Sequence, residues 1–378
     1  MRRTGSARSD LRGWDMAAIR KIEWVLWLCA LATASRAQND KPQPADRKAE
    51  PAAQSLVAPG EEGSLKNVRQ LTFGGTNAEA YFSFEGDRLV FQSTRPPYEC
   101  DQIFTMDLSG ENQKLVSTGK GKTTCAYFFP GGKRLLYAST HHHDEKCPPP
   151  PDRSKGYLWG VYSTFDIFTC NSDGSDLKPL TNQPGYDAEA TIAPDGSTIV
   201  FTSTRDGDLE LYTMDLDGKN VRRLTHEPGY DGGAFFSPDS KKIVYRANHP
   251  EGEELERYKK LLAEDLVAPA KVELFIMDRD GSNKQQLTHN GAANFGPYFH
   301  PNGNQIIFSS NFEDPKGRNF ELYTIGLDGK GQKRITHHEG FDMFPVFSPD
   351  GKRIVFVSSR NGRSPHELNV FIADWIDN

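Results

Sequence analysis

Hydrophobic and polar positions along this chain alternate in short runs, and Asp-Gly or Pro-Asp-Gly pairs separate the runs. Alternation of this kind predicts half-buried β-strands. Asp-Gly pairs predict tight hairpin turns, because they tolerate positive φ. Six segments share one pattern: "YFSFEGDRLVFQSTR" (81–95), "YFFPGGKRLLYASTH" (127–141), "TIAPDGSTIVFTSTR" (191–205), "FFSPDSKKIVYRANH" (235–249), "YFHPNGNQIIFSSNF" (298–312) and "VFSPDGKRIVFVSSR" (346–360). Five are followed by a second module of the type "ELYTMDLDGKNVRRLT". Each unit therefore parses into four antiparallel strands, a to d, and a four-stranded meander repeated in this way reads as a propeller blade. The sixth unit stops after strand c, "LNVFIADW" (368–375), while "NVRQLT" (67–72) stands alone near the start. The early strand can complete the last blade and remove the open edge. The expected fold is all-β: a six-bladed propeller over 65–378.

Two units carry insertions between strands b and c. The first is "HHHDEKCPPPPDRSKGYLWGVYST" (141–164). The second spans about 249–271, and its "EELERYKKLLAEDLV" sets Leu255, Tyr258, Leu262 and Leu266 on one helical face. One amphipathic helix ended by Pro269 is expected there. Both insertions lie on the face opposite the Asp-Gly turns.

The repeated "SPDGKRIVFVSSR" and "ELYTMDLDGKNVRRLT" segments resemble the PD40 repeats of TolB-like six-bladed propellers. The resemblance covers about 67–375. It implies the propeller fold and an envelope-associated binding role. It is specific for fold more than for function, since one fold hosts many functions.

The chain has 378 residues and a formal charge of −6, with 34 Gly and 24 Pro. No basic stripe marks a nucleic-acid surface. "IRK" (19–21), "WVLWLCALATA" (24–34) and "SRA" (35–37) have the three-part layout of a secretory signal, with the start at Met1 or Met16. Residues 1–37 are expected to be removed, and 38–64, rich in Pro, Ala and charge, to be a disordered tether. The mature protein would be a secreted or periplasmic monomer with no membrane span. Cys100, Cys125, Cys147 and Cys170 then remain where disulfides can form, and Cys100–Cys125 is the expected pair.

Candidate functional residues come from aligning the blades. The first column, just before each strand a, reads Asn77, Thr123, Asp187, Asp231, Asn294 and Asp342. Two residues later stand Glu79, Cys125, Glu189, Gly233, Gly296 and Phe344. The ends of strand b supply Arg95, His141, Arg205, His249, Phe312 and Arg360. Carboxylates and amides converging on an axis suit calcium or magnesium, and a histidine admits manganese or zinc. One divalent cation in the central channel, held by Asp187, Asp231, Asp342 and His141, is one expectation. The competing one is turn capping by Asp and Asn, with Arg95, Arg205 and Arg360 bridged to carboxylates of the next blade, or else recognising an anionic ligand or a partner's carboxylates. Aromatics at one blade position, Phe82, Phe128, Phe236, Phe299 and Phe347, are expected in the core. Three adjacent histidines (141–143) cannot easily face one ion on an extended chain. "GKGKTT" (119–124) lacks the first glycine of a phosphate loop, and "DLDGKN" (215–220) is a hairpin turn rather than a calcium loop.

Two functions stay open on these residues. One is a scaffold binding a protein or peptide partner at the channel mouth, through the polar columns, Tyr157, Trp159, Tyr162 and the helical insertion. The other is a divalent-metal-dependent lyase or hydrolase with its site on the propeller axis.

Overall fold

A computed structural model describes residues 55–377, apart from positions 153, 155, 316, 318 and 365. The expected signal sequence (1–37) and most of the expected tether (38–64) lie outside the described residues. Six four-stranded antiparallel sheets form the six blades. In blade 3 the order is Asp187–Ile192, Ile199–Ser203, Glu210–Met214 and Arg222–Arg223, running outward from the axis. Blade 6 is closed by the early strand: Leu65–Gln70 pairs with Asn369–Trp375, with Leu65 opposite Trp375 and Gln70 opposite Phe371. The edge that the chain's last strand would expose is thus hydrogen-bonded. Phe82, Phe128, Phe236, Phe299 and Phe347 are all buried, as their shared blade position predicts.

Every strand a carries a β-bulge at the same place. Register shifts fall between Ala78 and Tyr81 in blade 1, Ala188 and Thr191 in blade 3, and Gly232 and Phe235 in blade 4. Blades 2, 5 and 6 repeat it. An extra residue bends the strand and re-aims its side chain.

Three expectations need correction. The disulfide joins Cys100 to Cys147, not to Cys125. It ties the end of the first b–c loop of blade 1 to the Pro-rich insertion of blade 2, while the bulge carries Cys125 to the channel. The helix runs over Gly252–Leu262 and stops well before Pro269. Asp265 adopts φ 58°, its carboxylate accepts hydrogen bonds from Ser163 N and Oγ at 2.9 and 2.8 Å, and the chain turns. Leu266–Val267 then forms a short antiparallel pair with Trp159–Gly160, so the two insertions are joined to each other. Residues 55–64 are packed against the ring rather than free: Glu61 is fully buried, and Leu56 and Val57 pack on the core of blades 5 and 6.

Candidate functional site

The bulges define the axis. Glu79, Cys125, Glu189, Gly233, Gly296 and Phe344 occupy the bulge positions, with φ of 50°, 51°, 54°, 60°, 55° and 54°. Each non-glycine there carries about 1–2 kcal/mol of left-handed strain. All six line one axial cavity together with Tyr81, Tyr127, Phe235 and Arg246. The cavity has a volume of about 20 Å³, which is room for about one water molecule.

Its polar wall is a connected network. Arg246, almost completely buried, donates from Nη2 to Glu189 Oε1 at 2.6 Å and from Nε to the Tyr230 hydroxyl at 3.0 Å. Glu189 also accepts from Gly233 N and Thr202 Oγ1, both at 2.8 Å, and from the Tyr230 hydroxyl. Glycine is required at 233: a Cβ there would stand 2.7 Å from the Arg246 guanidinium. Glu79 is less well served. Its Oε2 is buried without a hydrogen-bond partner. Burial pushes its carboxyl up to about 7, against the lowering effects of the Cys125 thiol and Arg246. The same burial, with the nearby Glu79 and Glu189 charges, holds the Cys125 thiol protonated, well above its usual range.

Aromatic side chains close the cavity on the Asp-Gly turn side. Tyr81 packs on Tyr127 and on Phe235, both at 5.6 Å between ring centroids, and Phe235 packs on Tyr298 at 5.2 Å. On the opposite side the joined insertions form a cap. Trp159 lies over the Arg246 guanidinium at 5.2 Å and against Phe295 at 5.1 Å. Tyr258 from the helix reaches down and donates to Gly229 O at 2.7 Å. Val161, Tyr258, Val267 and Phe295 share one apolar cluster beneath the cap.

The first column does not line this cavity. Asn77, Asp187, Asp231, Asn294 and Asp342 are all buried, and each meets the end of strand b of its own blade or the preceding blade's chain. Arg95 donates to Asn77 at 2.9 Å, Arg205 to Asp187 at 2.9 Å and Arg360 to Asp342 at 2.8 Å. His249 Nε2 lies 3.2 Å from Asp231 Oδ1. Asn294 donates to Val272 O at 2.8 Å. The first-column bridges of these arginines are thus within their own blades, not to the next blade as expected, and Arg360 also pairs with Glu61 of the segment preceding the ring. Burial raises the Asp231 and Asp342 carboxyls, and the His249 and Arg360 charges oppose it. His141 hydrogen-bonds Ser139 at 2.8 Å and stacks on Phe168. Its neighbour His143 meets Asp166 at 3.1 Å, so the histidine run does not converge. Asp187, Asp231, Asp342 and His141 therefore do not gather around a single axial ion. Of the aligned columns the second faces the axis, with Glu79 and Glu189 as its carboxylates and Trp159 above them.

Four residues central to these networks escaped the sequence-based alignment. Arg246 stands in strand b where the other blades have Gln92, Ala138, Thr202, Ser309 and Val357. A charge in that column was visible and is the signal that could have found it. Tyr230 precedes an aligned residue. Glu210 opens strand c of blade 3 and is fully buried, with burial pushing its carboxyl up to about 7. Glu61 has no repeat equivalent at all.

A six-bladed propeller whose last blade is closed by the early strand, with two joined insertions on one face, is the class of protein these features define. Residues 162–263 match the PD40 family, the TolB beta propeller domain. Over that stretch, and in its six-bladed fold, the chain is similar to the TolB-like propellers built from PD40 repeats. TolB from Acinetobacter baumannii is 20% identical with a TM-score of 0.54, covering 72% of this chain and 57% of its own. This chain thus spans little more than half the length of that protein. A putative TolB from Agrobacterium tumefaciens is 16% identical with a TM-score of 0.53, covering 80% and 91%. An oligogalacturonate lyase in complex with manganese is 16% identical with a TM-score of 0.50, covering 82% and 80%. At these identities the likeness is one of fold. No curated protein matches the sequence. Among the described residues no helix is long and apolar enough to cross a membrane.

Proposed function

We propose that this protein is an extracytoplasmic propeller scaffold that binds a protein or peptide partner on the face built by the two insertions. The observation that carries this reading is the narrowness of the axis. A cavity of about 20 Å³ accommodates about one water, so recognition of anything larger falls to the outer surface. There Tyr157 is 73% exposed, and its hydroxyl accepts a hydrogen bond from Trp159 Nε1 at 3.0 Å. An aromatic pair held in place loses little freedom on binding and is typical of interface anchors. The signal-like start supports a periplasmic or secreted location, and the resemblance to TolB supports an envelope role.

Site-specific photo-crosslinking tests this. A photo-reactive phenylalanine analogue at position 157 should give discrete adducts with a partner, and the same probe at position 195, in an Asp-Gly turn of the other face, should not. Equal labelling from both positions overturns the reading.

A second reading has one observation in its favour. Glu79, with its carboxyl near 7 in a cavity beside Arg246, has the character of a general base. A lyase or hydrolase working there, with or without a divalent ion, needs a substrate that reaches into this narrow cavity. Turnover of polyuronate or lactone substrates that disappears in Glu79→Gln would favour it over the scaffold.

A further inference from the structure

Blade 4 departs from the arrangement that blades 3 and 6 share. In blades 3 and 6 the buried first-column carboxylate receives a permanent cation, Arg205 on Asp187 and Arg360 on Asp342. In blade 4 the buried carboxylate is Asp231, with no exposure, and the strand-b end supplies His249 instead. Glu227, from the link entering blade 4, joins them. One ligand atom each from Glu227, Asp231 and His249 lie within 4.8 Å of one another.

The surroundings add negative charge. Glu210 is fully buried beside Asp231, whose backbone N–H bonds Leu209 O at 2.9 Å. Glu210 Oε1 accepts from Arg223 at 2.6 Å, while its Oε2 is buried without a hydrogen-bond partner. The Asp231 charge acts on Glu210, and the Glu227 and Glu210 charges both act on His249. Three carboxylates thus face Arg223, Lys284 and one imidazole. Lys284 Nζ meets Glu227 at 2.8 Å and competes for it.

We propose that Glu227, Asp231 and His249 form a divalent transition-metal site of the zinc or manganese type, in which the ion takes the place that arginine fills in blades 3 and 6. One imidazole nitrogen with two carboxylates is a ligand set for these ions, whereas calcium and magnesium favour oxygen alone. Two ligands on one ion at tetrahedral geometry stand about 3.3 Å apart, and His249 and Asp231 are already at 3.2 Å. Glu227, with its side chain 48% exposed, can close the remaining distance by rotation. Three protein ligands leave a further position open to solvent. The site lies away from the axial cavity, and it is independent of the partner-binding reading.

Calorimetric titration of the metal-stripped protein with zinc chloride and manganese chloride tests the proposal. One ion should bind per chain and raise the melting temperature. His249→Arg installs the partner used in blades 3 and 6, so it should fold and lose binding. Glu227→Gln, at an exposed position, should weaken binding by about tenfold or more, and Lys284→Met should tighten it. His141→Ala/His143→Ala should leave it unchanged. Absence of stoichiometric binding to the unmutated protein overturns the proposal. So does binding that survives both His249→Arg and Glu227→Gln, or that follows the 141–143 histidines. Should His249→Arg fail to fold, Glu227→Gln and Lys284→Met decide alone.

Discussion

Arg360 is the residue whose removal should cost the ring most. Its side chain is 3% exposed and its guanidinium is shared by two fully buried carboxylates. Nη1 and Nη2 reach Glu61 Oε2 and Oε1 at 3.0 and 2.9 Å, and Nη2 also reaches Asp342 Oδ2 at 2.8 Å. Nη1 holds Leu56 O at 2.9 Å as well, which clamps the segment preceding the ring-closing strand. Arg360→Met keeps the bulk and deletes the charge. Two carboxylates are then left buried without their cation, and breaking a buried pair costs about 3–5 kcal/mol. With an unfolding entropy of about 2.1 cal/mol/K per residue over roughly 320 residues, the melting temperature should fall by about 4–8 °C. Arg205→Met is the comparator, because Arg205 is more exposed and serves one carboxylate, Asp187. It should cost about 1–3 kcal/mol. Neutralising both partners in Arg360→Met/Asp342→Asn/Glu61→Gln should recover at least about half of the loss, since apolar or neutral replacement of a whole buried ionic group is tolerated far better than removal of one member. Differential scanning calorimetry at neutral pH reads all four proteins. Arg360→Met melting with the unmutated protein, or a triple variant melting no higher than the single one, would rule out this role for Arg360.

Two further outcomes follow from the same physics. The Glu79 carboxyl is held at about 7 when folded, above its ordinary value of 4.5, so between those values the folded state binds more protons than the unfolded state. Stability contributed by this group is full below pH 4.5 and is lost as pH rises through 7. Glu79→Gln should therefore flatten the fall across that window and stabilise the protein by about 1–2 kcal/mol at pH 8, as read by urea unfolding at a series of pH values. An unchanged pH profile would sink the assignment. The Cys100–Cys147 disulfide closes a loop with a sequence separation of 47, so Cys100→Ser/Cys147→Ser should lower stability by about 2–4 kcal/mol. A reductant should lower the melting temperature of the unmutated protein and leave the double variant alone. Equal melting of both proteins with and without reductant would refute it.

Local patterns were enough to write down most of the architecture. Each Asp-Gly pair dictates its own hairpin, and alternation dictates which side of each strand is buried, so the six meanders are properties of segments. Ring closure by 67–72 was legible because a lone outer strand and a blade lacking one are complementary edges. Glu79 and Glu189 were legible as axial residues, because the blades repeat and one column must face the centre. The tertiary structure decided the rest, because it depends on groups far apart in the chain. Which cysteine meets Cys100 was settled by where a long Pro-rich insertion returns. The end of the helix was settled by Asp265, whose turn is stabilised by Ser163, a hundred residues earlier. The first column looked equivalent to the second in the sequence, yet only the bulge sends the second inward, while the first stays buried within the blades. Arg246 shows the same division most plainly. The repeat placed it on strand b, but the bulges, Gly233 and the cap of Trp159 together made it the centre of the axial network. Sequence pattern fixes what each short segment hydrogen-bonds to, whereas packing across the ring determines which charges are left to neutralise one another.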